Sequence, residues 1–463
     1  MQYDVNLCGL RGRNARLANG RHWLLNAILL ILWLSSWAGP GRASVADAAS
    51  ATKVLISSDH SNCVYRTGET IRWRISVTGQ VSSGGGALSY TVKKGGLTVL
   101  SQGSLTLSNG VAEVDAVMDE PGTAILEIII AGLPAKTGRT LAGVAVSNEG
   151  IRRSSARPDD FDAFWLAKIE ELAKVPIDPQ LVREESDKAG AYCWKISMGN
   201  IRGTRIQGWL GAPIAAGKWP AMLIVNGAGV YRLEKSSVAN RGAKGWIALN
   251  LNAHDLPVDE KTEFYEQQTK GGLKDYWTIG NDDRDSSYFL RMYLACYRAA
   301  QYLSERPDWD GKTLLAIGSS QGGLQAMVAA ALHPKVTAVI AGVPAGCDLT
   351  GPEVGRSPGW PAWFYKTKGK DPAKVIQASR YYDVVNFMRQ IRCPVLAGAG
   401  LIDEVCPPAG IIAAINELKG ARELILLPGA DHMGANNSHQ PFSERSKAWQ
   451  AALQAGNPVP PPK

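Results

Sequence analysis

Thr313-Leu314-Leu315-Ala316-Ile317-Gly318-Ser319-Ser320-Gln321-Gly322-Gly323 is the stretch that decides the fold. Five apolar or β-favouring residues run straight into Gly-x-Ser-x-Gly, and a helix-like run follows at Leu324, Met327, Val328 and Ala331. A buried strand, a sharp turn and a helix are what a nucleophile elbow requires. Glycines two before and two after Ser320 leave room for a strained backbone at the tip, and the following helix aims its N-terminal N–H groups at developing negative charge. Without that strand and helix the same five letters are only a Gly/Ser turn.

Length and composition set the frame. The 463 residues are enough for two or three domains, and 45% hydrophobic with 20% charged residues is an ordinary globular balance. A net charge of +8 invites a nucleic-acid reading, but its location excludes one. Residues 1–43 hold Arg11, Arg13, Arg16, Arg21 and Arg42 against one Asp, and the remaining charge is spread along the chain without a basic block. That leader also has an apolar core from Trp23 to Ala38 and small residues at Gly39, Gly41, Ala43 and Ala46. It reads as a signal peptide for secretion or periplasmic export, with an uncleaved membrane anchor as the lesser alternative. Cys8 lies in the leader; Cys63, Cys193, Cys296, Cys347, Cys393 and Cys406 show neither C-x-x-C nor metal-ligand spacing, and their pairing stays open.

From Lys53 to Ser147 the text is strand and turn. Ile71, Trp73, Ile75 and Val77 alternate with Arg72, Arg74 and Ser76, Leu88, Tyr90 and Val92 repeat the pattern, and Asn109-Gly110 marks a tight turn. Some seven short strands over residues 50–148 predict an immunoglobulin-like β-sandwich. A polar, basic linker, Asn148 to Arg157, leads to a helix opening at Pro158-Asp159-Asp160, with Phe161, Phe164, Trp165, Ile169 and Leu172 on one face. Strand candidates then alternate with helices: Tyr192–Ser197, Arg205–Leu210, Ala221–Val225, Trp246–Leu249, Thr313–Ile317, Thr337–Ala341, Pro394–Ala399 and Glu423–Leu427. Helical runs fall at Tyr288–Leu303, Leu324–Leu332 and Ile411–Leu418. Eight strands, the first two forming a hairpin and the later ones joined by crossovers, predict an α/β-hydrolase domain over 158–455. The proline-rich tail, residues 456–463, is expected to be disordered.

A serine hydroxyl needs a positioned base. His22 is in the leader, His60 in the strand-rich region, and His333 precedes Pro334 at a helix end, a usual surface spot; His439 opens the last helix. His432 lies in Leu427-Pro428-Gly429-Ala430-Asp431-His432-Met433-Gly434, just after the final strand, where a loop at the carboxyl edge of the sheet brings an imidazole over Ser320. The orienting acid should fall between them in sequence. Asp403, in Gly400-Leu401-Ile402-Asp403-Glu404-Val405-Cys406-Pro407-Pro408, fits, with Glu404 as its rival. Two backbone donors for an oxyanion are expected from Gln321 and from the loop Asn226-Gly227-Ala228-Gly229, specifically Ala228. His254, after the Trp246–Leu249 strand, is a candidate pocket residue; Asp348 and Trp360 line the pocket or simply pack.

From about Pro158 to Ala452 the chain resembles the acetyl xylan esterase / cephalosporin-C deacetylase family. Asp159-Asp160-Phe161-Asp162-Ala163-Phe164-Trp165 is similar to that family's entry helix, and Gly280-Asn281-Asp282-Asp283-Arg284-Asp285-Ser286-Ser287-Tyr288-Phe289 to its Arg-Asp-rich stretch. The elbow and Asp403-Glu404-Val405-Cys406-Pro407-Pro408 also resemble the family's elbow and acid loop. The resemblance implies Ser320, Asp403 and His432 as a triad, deacetylation of sugars or small acetyl esters without a metal or other cofactor, and a homo-oligomer. One departure stands out: the family's His-Gly-Tyr reads Asn226-Gly227-Ala228 here, so the backbone donor survives but the tyrosine wall is lost unless Tyr231 replaces it.

Other classes fare worse. A metal-dependent deacetylase lacks a histidine pair at ligand spacing, since His432 and His439 are too far apart for one helical face. A peptidase, a general short-chain carboxylesterase, or a non-catalytic carbohydrate-binding protein on the same fold are the remaining alternatives. Arg284 and Asp285 read as an ion pair pinning their loop before they read as substrate contacts.

Overall fold

Strict alternation builds the N-terminal part. The computed structural model describes residues 52–79 and 87–462; the expected signal peptide, with Cys8 and His22, falls outside them. β3 (Thr70–Thr78) buries every second residue, Ile71, Trp73, Ile75 and Val77, and pairs with β1 (Lys53–Ser58) and β6 (Val111–Val117). A second sheet runs in the order β2 (Val64–Tyr65), β8 (Arg139–Val146), β7 (Gly122–Ile130), β4 (Leu88–Lys94), β5 (Thr98–Leu105). Side chains of both sheets meet in one cluster, where Trp73, Ile71 and Val114 lie with Leu126, Ile128 and Val144. Each such side chain, fully buried, contributes about 1.5–3 kcal/mol. The Asn109-Gly110 turn forms with both residues at positive φ (51° and 76°), as its chemistry demands. It does not close a two-stranded hairpin within one sheet, because β5 and β6 lie in different sheets.

The linker is held down rather than loose. Asn416 Nδ2 donates to the carbonyls of Asn148 (2.7 Å) and Ile151 (3.0 Å), and Ile151 packs on Ile412 and Ala413 of helix Pro408–Asn416. The Ser154 N–H and hydroxyl both donate to Asp348 Oδ1 at 2.7 Å.

The C-terminal part is organised on a nine-stranded sheet in the order β17 (Arg422–Leu427), β16 (Val395–Gly400), β15 (Ala338–Gly342), β14 (Trp309–Ser319), β12 (Trp219–Val225), β13 (Ile247–Leu251), β11 (Arg205–Pro213), β10 (Ala191–Gly199), β9 (Gln180–Glu184). The β10–β11 hairpin is antiparallel, and from β13 to β17 neighbouring strands are parallel. Central strands β13, β15 and β16 are buried along their whole length, as a sheet covered by helices on both faces requires. Eight of the strands were expected; the ninth, β9, is a largely exposed edge strand whose text carries no apolar alternation. Helix Tyr288–Glu305 is capped by the Ser287 hydroxyl, which accepts from Phe289 N–H, and it ends just before Pro307. Entry helix Phe161–Ala173 buries Phe161, Phe164 and Trp165 against Tyr293, Tyr381, Tyr382 and Phe387. Arg284 reaches Asp160 at 2.6 Å and Asp285 reaches Lys168 at 2.6 Å, so the Arg-Asp stretch pins this helix as well as its own loop.

Two expectations are corrected here. His333 is buried, not at the surface: its ring stacks edge-on against Tyr297 with centroids 4.9 Å apart. The tail is anchored, because Arg445, paired with buried Glu423 (2.8 Å), donates to the carbonyls of Pro460 and Pro461, while Val459 packs beside Trp449. A buried cation with leftover donors recruits a proline-rich segment that has carbonyls to spare.

These placements make two predictions. Arg445→Ala strands the Glu423 carboxylate and should lower the unfolding free energy in urea by about 3 kcal/mol; an unchanged transition would refute the pair's role. Burial pushes the His333 pKa down to about 4 from its ordinary 6.5. The unfolded chain therefore binds the extra proton first, so stability is full above about pH 6.5 and is lost as pH falls towards 4. His333→Phe should flatten that slope, read from urea midpoints across the range.

Candidate active site

The site is built at the carboxyl ends of β14, β12, β16 and β17. At the tip of β14, Ser320 is held at φ 56°, ψ −125°, a strained conformation for a residue with a side chain. Its N–H donates to Gly342 O (2.9 Å) and its carbonyl accepts from Ala345 N–H (3.0 Å), so both backbone groups are spent on β15 and the loop after it. The flanking glycines are required by space: a Cβ on Gly322 would lie 2.4 Å from the Val225 carbonyl oxygen, and one on Gly318 would lie 2.7 Å from it. Helix Gln321–Leu332 starts immediately, leaving the Gln321 N–H without an intrahelical acceptor.

His432, in the loop after β17, places Nε2 3.0 Å from Ser320 Oγ and Nδ1 2.8 Å from Asp403 Oδ2. A carboxylate only accepts, so Nδ1 carries the proton and Nε2 is left to accept from the serine hydroxyl. Asp403 is fully buried, and its other oxygen accepts from the Val405 and Cys406 N–H groups, both at 2.8 Å. Its rival Glu404 points the other way, to Arg139. Ser320, His432 and Asp403 are thus brought together; an arrangement of this kind can remove a proton from the hydroxyl and hold the resulting imidazolium.

The loop after β12 faces the elbow. Asn226 is turned inward, Nδ2 donating to Asn250 Oδ1 (2.7 Å) and Leu251 O (3.1 Å), and Ala228 is exposed. The Tyr231 hydroxyl donates back to Gly227 O at 2.8 Å, which leaves the half-exposed ring over this loop. Tyr276, which sequence reasoning missed, ties the Gln321 side chain to the loop after β12. Its hydroxyl donates to Gln321 Oε1 and accepts from Gly229 N–H (3.3 Å), and burial pushes its pKa up, so it stays protonated. Nothing marks it in the sequence, since Tyr276-Trp277 belongs to no motif.

His254 and Asp348, expected near the pocket, are both buried with their polar atoms engaged by protein partners. His254 is 3% exposed, with Nε2 donating to Gly229 O (2.9 Å) and Nδ1 accepting from the Tyr288 hydroxyl (2.7 Å). Burial drives its pKa down to about 4, so it is a neutral prop for the Ala228 loop. Asp348 is buried, holding Ser154 and an ion pair to Arg356 at 2.7 Å. Trp360 is half-buried among Tyr276, Trp277 and Phe289, and its backbone N–H donates to Val405 O (2.8 Å), beside the acid loop.

Among the described residues, one cluster has donors for a metal: Asp403, Cys406 and His432, within 4.8 Å of one another. Those donors are already engaged. His432 and Asp403 hold each other, and burial pushes the Cys406 thiol far up, away from the thiolate a metal needs. All six described cysteines are free thiols. No described helix is long and apolar enough to cross a membrane.

Comparison with known proteins fits this geometry. The family model for acetyl xylan esterase (AXE1) matches residues 149–451. Acetyl esterase Axe7A of Xylanibacter ruminicola is 33% identical over 379 residues, covering 81% of this chain and 85% of that protein, so the likeness extends beyond the family region. The fold is shared with acetyl xylan esterase 1 of Thermoanaerobacterium sp. (TM-score 0.54, 22% identity, 64% of this chain and 96% of that one). It is shared likewise with the acetyl xylan esterase of Paenibacillus sp. R4 (TM-score 0.55, 22% identity, 65% and 98%). The chain therefore belongs to the acetyl xylan esterase family and is a carboxylic ester hydrolase.

Proposed function

We propose that this protein is an exported serine esterase that removes acetyl groups from acetylated xylan or related acetylated sugars. The observation that carries the reading is the 3.0 Å approach of His432 Nε2 to Ser320 Oγ, with Asp403 2.8 Å behind the ring. Ser320 gives its proton to His432 as its oxygen attacks the acetyl carbonyl, and the imidazolium then protonates the departing sugar oxygen. Water, deprotonated by the same ring, cleaves the acetyl-serine and releases acetate. The Gln321 and Ala228 N–H groups receive the oxyanion, and Asn226, Gly227, Tyr231 and Trp360 border the acyl pocket. Buried His254 and Tyr276 keep that loop in place. The basic, apolar leader supports export to the periplasm or outside the cell. The two N-terminal sheets, sharing one cluster, support an immunoglobulin-like sandwich. The family resemblance supports a homo-oligomer; a monomer mass by light scattering would remove that part.

Ser320→Ala should reduce p-nitrophenyl acetate hydrolysis by about 10⁴-fold or more. Equal rates in variant and wild type would instead favour a non-catalytic, carbohydrate-binding role. Acyl length tests the substrate class: acetate esters should turn over faster than octanoate esters, and the reverse order would mark a general carboxylesterase. Acetate released from acetylated xylan, measured against other acetyl sugars, ranks the natural substrates.

A further inference from the structure

The N-terminal sheets reach the acid loop directly. Along β8, Arg139, Leu141 and Gly143 share the face opposite the one that carries Val144 and Val146 into the N-terminal core. Gly143 lies backbone to backbone on the acid loop: a Cβ there would come within 2.1 Å of the Leu401 carbonyl oxygen. Four residues earlier on the same face, the Arg139 guanidinium grips Glu404 with two parallel N–H···O bonds of 2.6 Å each. Its Nε donates to Glu127 of β7, a buried carboxylate that also receives Lys93 Nζ at 2.8 Å.

An ion pair with half-exposed Glu404 would ordinarily contribute little, because two long side chains lose freedom and water screens them. Here the guanidinium is already fixed by Glu127 and the contact is a fork on a fork, so little freedom remains to lose. Glu404 sits between Asp403 and Val405, whose N–H is one of two that orient the Asp403 carboxylate. The same short turn is held from its other side by Trp360 N–H on Val405 O. Fixing Glu404 therefore fixes the direction from which Asp403 meets His432.

Resting on the Ser320–His432–Asp403 reading above, we propose that Arg139 is a positioning residue, and that the N-terminal sheets act as the rigid abutment of the acid loop. Nothing in this role touches substrate, so its loss should appear in turnover rather than in binding.

The test is steady-state kinetics on p-nitrophenyl acetate with the full chain. Arg139→Ala should lower kcat about tenfold and move KM less than about twofold. Arg139→Lys should stay low, because an ammonium keeps the charge but not the fork; full recovery with lysine would overturn the positioning role in favour of charge alone. Glu404→Gln should lose as much as Arg139→Ala, and the double variant should be no worse than either, whereas multiplied losses would mean the two act independently and overturn the proposal. Should Arg139→Ala fail to fold, Glu404→Gln, which leaves the N-terminal sheets untouched, carries the test. Thr98→Ala removes a different bridge, the Thr98 hydroxyl on Gly355 O (2.9 Å), and should keep wild-type kcat and KM. A matching fall there would reduce Arg139 to general docking. Wild-type turnover by Ser320→Ala would sink the parent reading; an inactive Ser320→Ala beside a fully active Arg139→Ala would sink only this one.

Discussion

The Val225 carbonyl pressed against bare backbone at Gly318 and Gly322 is the constraint on which the site depends. Parallel pairing of β12 with β14 sets that approach, since Val225 and Gly318 are register partners at the carboxyl ends of the two strands. With no room for a side chain on either glycine, the turn must be as tight as it is, and the left-handed φ falls on Ser320. Strain of this kind costs on the order of 1–3 kcal/mol and persists only where neighbours over-determine it. Here Gly342 and Ala345 take both of the serine's backbone groups, so the sheet itself holds the hydroxyl outward.

Around that fixed point the polar residues are placed by burial. His254 and Tyr276 are each kept in their neutral forms by desolvation, and each spends that neutrality on the same loop, one at the Gly229 carbonyl and the other at its N–H. A charged group in either position would need solvent or a counter-charge that its burial does not supply. The neutral pair holds the loop stationary, which is what preorganised backbone donors require.

What the sequence made legible follows from how local each signal is. The elbow, the late histidine and the acid after the strand now numbered β16 are encoded in short strings with strong turn and strand chemistry, and Ser320, His432 and Asp403 do meet. β9 was missed because an exposed edge strand has no need of alternation. His333 was misplaced because a His-Pro pair at a helix end looks solvent-bound until Tyr297 is found packing over it. Tyr276, Arg139 and the true surroundings of His254 and Asp348 depend on partners between 25 and 265 positions away, and no local pattern announces them. The anchored tail is a similar case: its prolines read as disorder until a buried guanidinium supplies donors for them.

Strand β7 is covered on both faces along most of its length: its even side chains enter the N-terminal core, Ile125 and Glu127 on the other face are buried as well, and Ile129 is exposed. Helix Pro408–Asn416 lies beside it, and Gly143 of neighbouring β8 rests on Leu401. A strand buried on both faces over most of its length is no border at which a chain can be divided. Severed at the linker, the amino-terminal half would show to water an apolar seam and an Arg139 guanidinium parted from Glu404, and the esterase half would lose the floor under its acid turn. Grafting either part onto another protein would thus transplant an unfinished surface.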